Sequence, residues 1–120
     1  MKTLCLMLLL LPGILTAQTR AVVFIDSSRP AQGQLVNAMN QMLFYSASLR
    51  AQLAVDVFDI NPHGAPFSGG LHYVPDTHGQ GAARYRPDAL PFLICLEGKK
   101  EILRMEIEKK EQLCLCTHAC

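Results

Sequence analysis

The stretch Val22–Gln32, VVFIDSSRPAQ, decides how the rest of the chain is read. Ala21 to Ile25 is a short run of β-branched and aromatic residues with no polar face, the composition of a strand buried on both sides of a sheet. Asp26 ends the run. Ser27 and Ser28 offer hydroxyls to cap a following helix, and Pro30 suits a first helical turn, where no amide donor is needed. Beyond it Leu35, Met39, Met42, Ser46, Leu49 and Leu53 recur at three-four spacing, which predicts one helix from about Pro30 to Leu53 with a single apolar face.

Working outward, Ala54–Ile60, AVDVFDI, has the β-branched and aromatic content of a second strand. A helix between two strands predicts a right-handed βαβ unit with parallel strands. Asn61–Gly81 holds five glycines and three prolines, which excludes a long regular element, and a stretch of this length is commonly functional or mobile. A helical turn over Gly81–Tyr85 is compatible with its residues. Then Phe92–Leu96, a turn at Glu97-Gly98-Lys99 and a strand over Lys100–Ile107 read as a β-hairpin, and Glu106–Gln112 predicts a short helix running towards Cys116. The expected fold is α/β, in the order β-α-β-(irregular)-β-β-α around a mixed central sheet.

The N-terminal MKTLCLMLLLLPGILTA places Lys2 ahead of an apolar run from Leu4 to Leu15 and ends on small residues, the layout of a secretory signal peptide over residues 1–17. The run is shorter than the roughly 20 apolar residues of a membrane span, so no stable anchor is expected after cleavage at Ala17, with Ala21 as the fallback position. The remaining 103 residues, 18–120, suffice for one small domain. Loss of Lys2 leaves ten Lys and Arg against ten Asp and Glu, a balance that argues against a nucleic-acid partner. Four cysteines remain, Cys95, Cys114, Cys116 and Cys120, and an even count in an exported chain favours disulfides in a periplasmic or secreted protein.

The element order, with Pro91 directly before the hairpin, resembles the thioredoxin-like superfamily. The resemblance implies a cis Leu90-Pro91 bond facing the start of the first helix. It also implies that Ser28-Arg29-Pro30-Ala31 stands where such a domain carries its reactive Cys-x-x-Cys pair. Dithiol exchange needs a thiolate at that helix start and a second cysteine to resolve the mixed disulfide, so the corner has no catalytic residues for it. Ser28 as a hydrolytic nucleophile would need a base, and no motif places one of the four histidines beside it. The residues expected to form an interaction surface are Ser28, Arg29, Pro30, Pro91 and Tyr73. Tyr73 and Phe67 are expected as exposed aromatics of the glycine-rich loop, the type of residue that anchors protein partners.

The terminal CLCTHAC has three readings. As a strand, Cys114, Cys116, His118 and Cys120 would share a face and suit a soft metal. As a redox site, Cys114 and Cys116 would form a tight, reducible pair. The third reading is a structural disulfide: in the fold that the resemblance implies, the terminal helix crosses the strand of Cys95, which favours a bond from Cys95 to Cys114 or Cys116. His63, His72 and His78 with Asp76 have spacings of nine and six that match no metal-ligand signature, so no metal and no cofactor is expected.

Ala83–Ile107, ARYRPDALPFLICLEGKKEILRMEI, resembles the C-terminal thioredoxin-like region of periplasmic pilus-assembly proteins of F-type conjugative transfer systems. The shared features are a tyrosine-containing approach to the proline, an apolar strand ending in cysteine, and a later cysteine. That resemblance implies a non-catalytic assembly or interaction factor whose partner is a protein of an envelope complex. The competing class is a thiol-disulfide oxidoreductase or metal-handling protein that uses the terminal cysteines.

Overall fold

In the computed structural model, residues 18–118 and 120 are described; the expected signal peptide lies outside them. Strand β1 (Thr19–Ile25) runs through the middle of a five-stranded sheet of order β3-β2-β1-β4-β5. Its residues Ala21 to Ile25 are all fully buried, as a strand with both faces covered requires. β2 (Leu53–Asp59) pairs with it in parallel and β4 (Phe92–Glu97) antiparallel, so the sheet is mixed. Among the described residues no helix is long and apolar enough to cross a membrane.

The expected helix Pro30–Leu53 is in fact two: α1 (Pro30–Tyr45) and α2 (Ala47–Gln52). The break is at Ser46, whose backbone is extended (φ −122°, ψ 97°) and whose Oγ accepts from the Leu49 amide at 3.2 Å. Serine competes locally for backbone hydrogen bonds, and here it ends one helix by capping the next. The Arg50 guanidinium donates to the open carbonyls of Leu43 (2.7 Å) and Phe44 (2.6 Å), satisfying the end of α1. Leu53 then begins β2. The three-four spacing continued through the break because both helices present leucines to the same core.

One face of the sheet packs Val23, Ile25, Val57 and Leu93 against Leu35, Val36, Met39 and Leu43 of α1, together with Leu113 near the C-terminus. The other face carries Val22, Phe24, Phe92 and Ile94, covered in part by Ala82 and Tyr85 of α3 (Gln80–Tyr85). Phe24 and Phe58 stack there with centroids 4.9 Å apart. Gly81 brings α3 close to the sheet: a Cβ built on it would lie 2.5 Å from the Phe58 ring.

The glycine-rich segment contains an unexpected strand, β3 (His72–Pro75), pairing in parallel with β2 at the sheet edge. It has four residues with no fully buried side chain and ends on proline, which an edge position tolerates. Asn40 of α1 fastens the preceding loop by donating to the Ser68 carbonyl and accepting from the Gly70 amide at 2.8 Å.

Strand β5 (Lys100–Glu106) completes the hairpin with β4 across a turn in which Gly98 takes φ +60°, a left-handed conformation that favours glycine. Instead of an α-helix over Glu106–Gln112, a 3-10 helix spans Lys110–Cys116. It carries Cys116 to Cys95 (Cα–Cα 5.2 Å) and is followed by a second bond, Cys114–Cys120 (Cα–Cα 5.6 Å). The tail is therefore neither a strand of metal ligands nor a Cys114–Cys116 pair. A vicinal-type bond loses because Cys116 points into the core beside Cys95 while Cys114 stays near the surface.

Candidate functional site: the corner between the first helix and Pro91

Where β1 gives way to α1, Asp26 turns the chain. Its carboxylate accepts the Ser28 amide (3.0 Å) and the Ser28 hydroxyl (2.6 Å), an Asx-type turn that closes before the helix begins. Arg29 holds the N-cap position without a side-chain cap, with Pro30 starting the helix, so the expected cap by Ser27 or Ser28 is not formed. The Ser28 hydroxyl is instead oriented by donating to the charged Asp26 carboxylate, a stronger bond than a neutral pair makes. The Ser28 hydroxyl, its amide and the Arg29 charge hold the Asp26 carboxyl below the usual carboxylate range against the opposing effect of partial burial. The Ser28 hydroxyl is directed at Asp26 and not at a histidine, and the lowering of the Asp26 carboxyl makes it a weak base for activating a nucleophile.

Gln32, buried within α1, reaches back to accept the Asp26 amide at 2.7 Å. A glutamine three residues after an N-cap ordinarily reaches the N-cap amide; here the Arg29 amide goes to the Asp26 carbonyl and Gln32 takes the Asp26 amide instead, a bond that the Arg29-x-x-Gln32 spacing does not announce. The Ser27 amide donates to Asp59 (3.0 Å), and Asn61 Nδ2 donates to the Ser27 hydroxyl (3.0 Å), so this residue is tied to the end of β2.

Leu90-Pro91 is cis and faces this turn. Pro91 is positioned from two sides. Its carbonyl accepts the Ile107 amide at 3.2 Å, and the segment leading to it is held by Arg104 of β5, which donates to the carbonyls of Tyr85 (3.0 Å) and Arg86 (2.5 Å). Arg104 also lies over the Phe92 ring, 5.3 Å from its centroid.

Between Pro91 and the start of α1 lies an open cavity of about 510 Å³ lined by Pro30, Ala31, Leu35, Pro91 and Ile107, with Arg29, Gln32 and Glu108 as its polar members. A second depression of about 480 Å³, reaching Pro87 and Asp88, shares Arg29 and Gln32 with the first. The sequence reading placed Ser28, Arg29, Pro30 and Pro91 at one surface, and three of these four line the first cavity. Leu35, Ile107 and Glu108 escaped it because nothing in the sequence shows that the segment after β5 returns to the helix start.

Tyr73 stands apart from this cavity. It is half-buried, and its hydroxyl donates to the fully buried Asp59 at 2.7 Å. Burial and the Asp59 carboxylate push its hydroxyl up to about 12. Phe67 packs against Tyr73 and the core, so neither is the exposed aromatic that was expected. Of the loop histidines, His72 lies 3.4 Å from Asp56, and Asp76 is engaged by the amides of Gly81 (2.7 Å) and Ala82 (3.0 Å) at the start of α3. No group of three metal-ligating side chains is found among the described residues.

A central βαβ unit, an antiparallel hairpin introduced by a cis proline, and a proline-started helix facing it define a thioredoxin-like fold. Known structures agree. The chain is similar to StoA from Bacillus subtilis (TM-score 0.61, 13% identity, covering 84% of this chain and 83% of that one). It is also similar to the germline-specific thioredoxin Deadhead from Drosophila melanogaster (TM-score 0.56, 9% identity, 81% of this chain and 75% of that one). A thioredoxin-like protein from Aeropyrum pernix superposes with TM-score 0.56 at 6% identity over 90% of this chain and 81% of that one. No family model matches the chain, and no curated protein matches it in sequence. At these identities the likeness establishes the fold. The two disulfides add that this is the chemistry of a non-cytoplasmic protein.

Proposed function

We propose that the chain is an exported, non-catalytic interaction factor that uses the corner around Arg29, Pro30 and Pro91 to dock an extended segment of a protein partner. The observation that carries this reading is the cavity itself: five apolar side chains line it, charged Arg29 and Glu108 stand at its rim, and the position of a reactive cysteine holds Ser28. A mostly apolar cleft with a few oriented polar groups suits a side chain of a partner better than a soluble charged metabolite. The resemblance of Ala83–Ile107 to pilus-assembly proteins supports a place in an envelope complex such as the conjugative pilus or type IV secretion apparatus, in the periplasm or outside the cell. Supporting the compartment is the complete pairing of Cys95, Cys114, Cys116 and Cys120.

The test is complementation. Ala31 is exposed at the cavity, and Ala31→Trp would fill it without touching the core. In conjugative donor cells dependent on this chain, Ala31→Trp should abolish pilus assembly while the protein remains exported and folded. Full pilus assembly by that variant would reject the reading. A second reading, thiol-disulfide exchange, is favoured by one observation at the other end of the sheet: Cys120 is exposed and Cys114 only half-buried.

A further inference from the structure

The two disulfides differ in surroundings. Cys95 and Cys116 are 0% and 3% exposed, inside the core between the sheet and the 3-10 helix. Cys120 is exposed and Cys114 half-buried, and their bond spans 6 residues against 21 for the other. Exchange requires a thiolate to reach a disulfide sulfur, so access alone separates the two bonds, and exposed disulfides are the labile class. Leu115 to His118, which lie between the two cysteines of the surface bond, also line a cavity of about 660 Å³ at the end of the sheet where β1 begins, opposite the corner. Leu115 and Ile102, 58% and 40% exposed, lie in this cavity with His118 and Glu97. Exposed aliphatic side chains beside a reachable disulfide give a thiol-bearing partner a surface to rest on.

We infer that Cys114–Cys120 is a thiol-exchange site whose co-substrate is a low-molecular-weight thiol or a protein dithiol, and that Cys95–Cys116 is structural. An incoming thiolate attacks Sγ of Cys120, the more exposed of the two residues. A bond forms between the two, the Cys114–Cys120 bond breaks, and its electron pair leaves on Cys114. A second thiolate then attacks the external sulfur of the mixed disulfide and releases Cys120 as a thiolate. Two thiols are oxidised to one external disulfide, the protein disulfide is reduced by two electrons, and the two protons released by the thiols are taken up at Cys114 and Cys120. The exchange site stands independently of the docking corner, because the two lie at opposite ends of β1.

The experiment uses the full mature chain and reduced glutathione as the probe, with rapid alkylation and peptide mapping. Cys114 and Cys120 should become alkylated at least about tenfold faster than Cys95 and Cys116, with the trapped glutathione adduct on Cys120. Opening of both bonds at one rate, opening of Cys95–Cys116 first, or an adduct on Cys114 would each overturn the assignment. A Cys114→Ser, Cys120→Ser variant keeps the buried bond and should take up no glutathione at the same concentration; undiminished uptake would also overturn it.

Discussion

The Ser28 hydroxyl donates to the Asp26 carboxylate at 2.6 Å, so the residue at the place of a reactive cysteine is turned back onto the end of its own strand. The start of the first helix is thereby closed by a polar turn and presents Arg29, Pro30 and Ala31 to the outside. This arrangement holds a surface in place and carries no group that could exchange electrons.

Removing that hydroxyl with Ser28→Ala should raise the Asp26 carboxyl towards its ordinary value, since the hydroxyl is the largest cause of its lowering. Because the folded value is depressed, the stabilisation is present above the ordinary carboxylate range and is lost as pH falls through the folded value. Carboxyl carbon shifts followed by NMR as pH falls should show Asp26 taking up its proton at a higher pH in the variant than in the parent. An unchanged midpoint would contradict the assigned bond.

Tyr73 should be the last tyrosine to ionise. Its folded value of about 12 lies above the ordinary tyrosine value of 10.0, so the neutral form is favoured; the stabilisation is fully present below pH 10 and is lost as pH rises through 12. Ultraviolet titration of the three tyrosines should show one late ionisation that disappears in Tyr73→Phe. That variant also leaves a buried carboxylate one donor short, at a cost of about 1.5–3 kcal/mol in chemical unfolding.

Gly64 is the close neighbour of this same network. A Cβ placed on it would lie 2.2 Å from Asp59 Oδ2 and 2.7 Å from the Tyr73 hydroxyl. Gly64→Ala must therefore displace the Tyr73–Asp59 bond, and a destabilisation of about 1–3 kcal/mol is expected by denaturant titration. Stability equal to the parent would show that the loop moves freely away from β2.

The fold was legible wherever one residue type had one physical use. Ala21–Ile25 could only be a doubly covered strand, and Pro91 ahead of an apolar run marked the hairpin. Two features were hidden for opposite reasons. Ser46 breaks the helix through its own side chain while the leucine spacing runs on regardless. β3 is four residues at an edge, where partial exposure leaves no alternation to detect. The bond from Cys95 to the tail was expected from the resemblance, and Cys116 makes it; the Cys114–Cys120 bond and the Ile107 wall of the cavity depend on how the last segment returns across the sheet, which local sequence does not encode.

The two disulfides should contribute unequally to stability. By the chain-entropy model a separation of 21 residues is worth about 3 kcal/mol and one of 6 about 2 kcal/mol. Replacing Cys95 and Cys116 by alanine also leaves a gap in the core, so calorimetry should show a fall in Tm on the order of 10 °C or more. Replacement of Cys114 and Cys120 by serine should cost less. The opposite ranking would mean that the surface bond is the structural one.

The central claim is that the corner docks a protein partner, and site-specific photo-crosslinking tests it most directly. A photoreactive residue is placed in the exported chain at Arg29, at Glu108, or at Lys99 in the remote hairpin turn. Positions 29 and 108 should yield adducts with one and the same envelope protein, lost on introducing Ala31→Trp, and position 99 should not. Equal adduct yields at all three positions, or adducts at 29 and 108 that survive Ala31→Trp, would contradict the account.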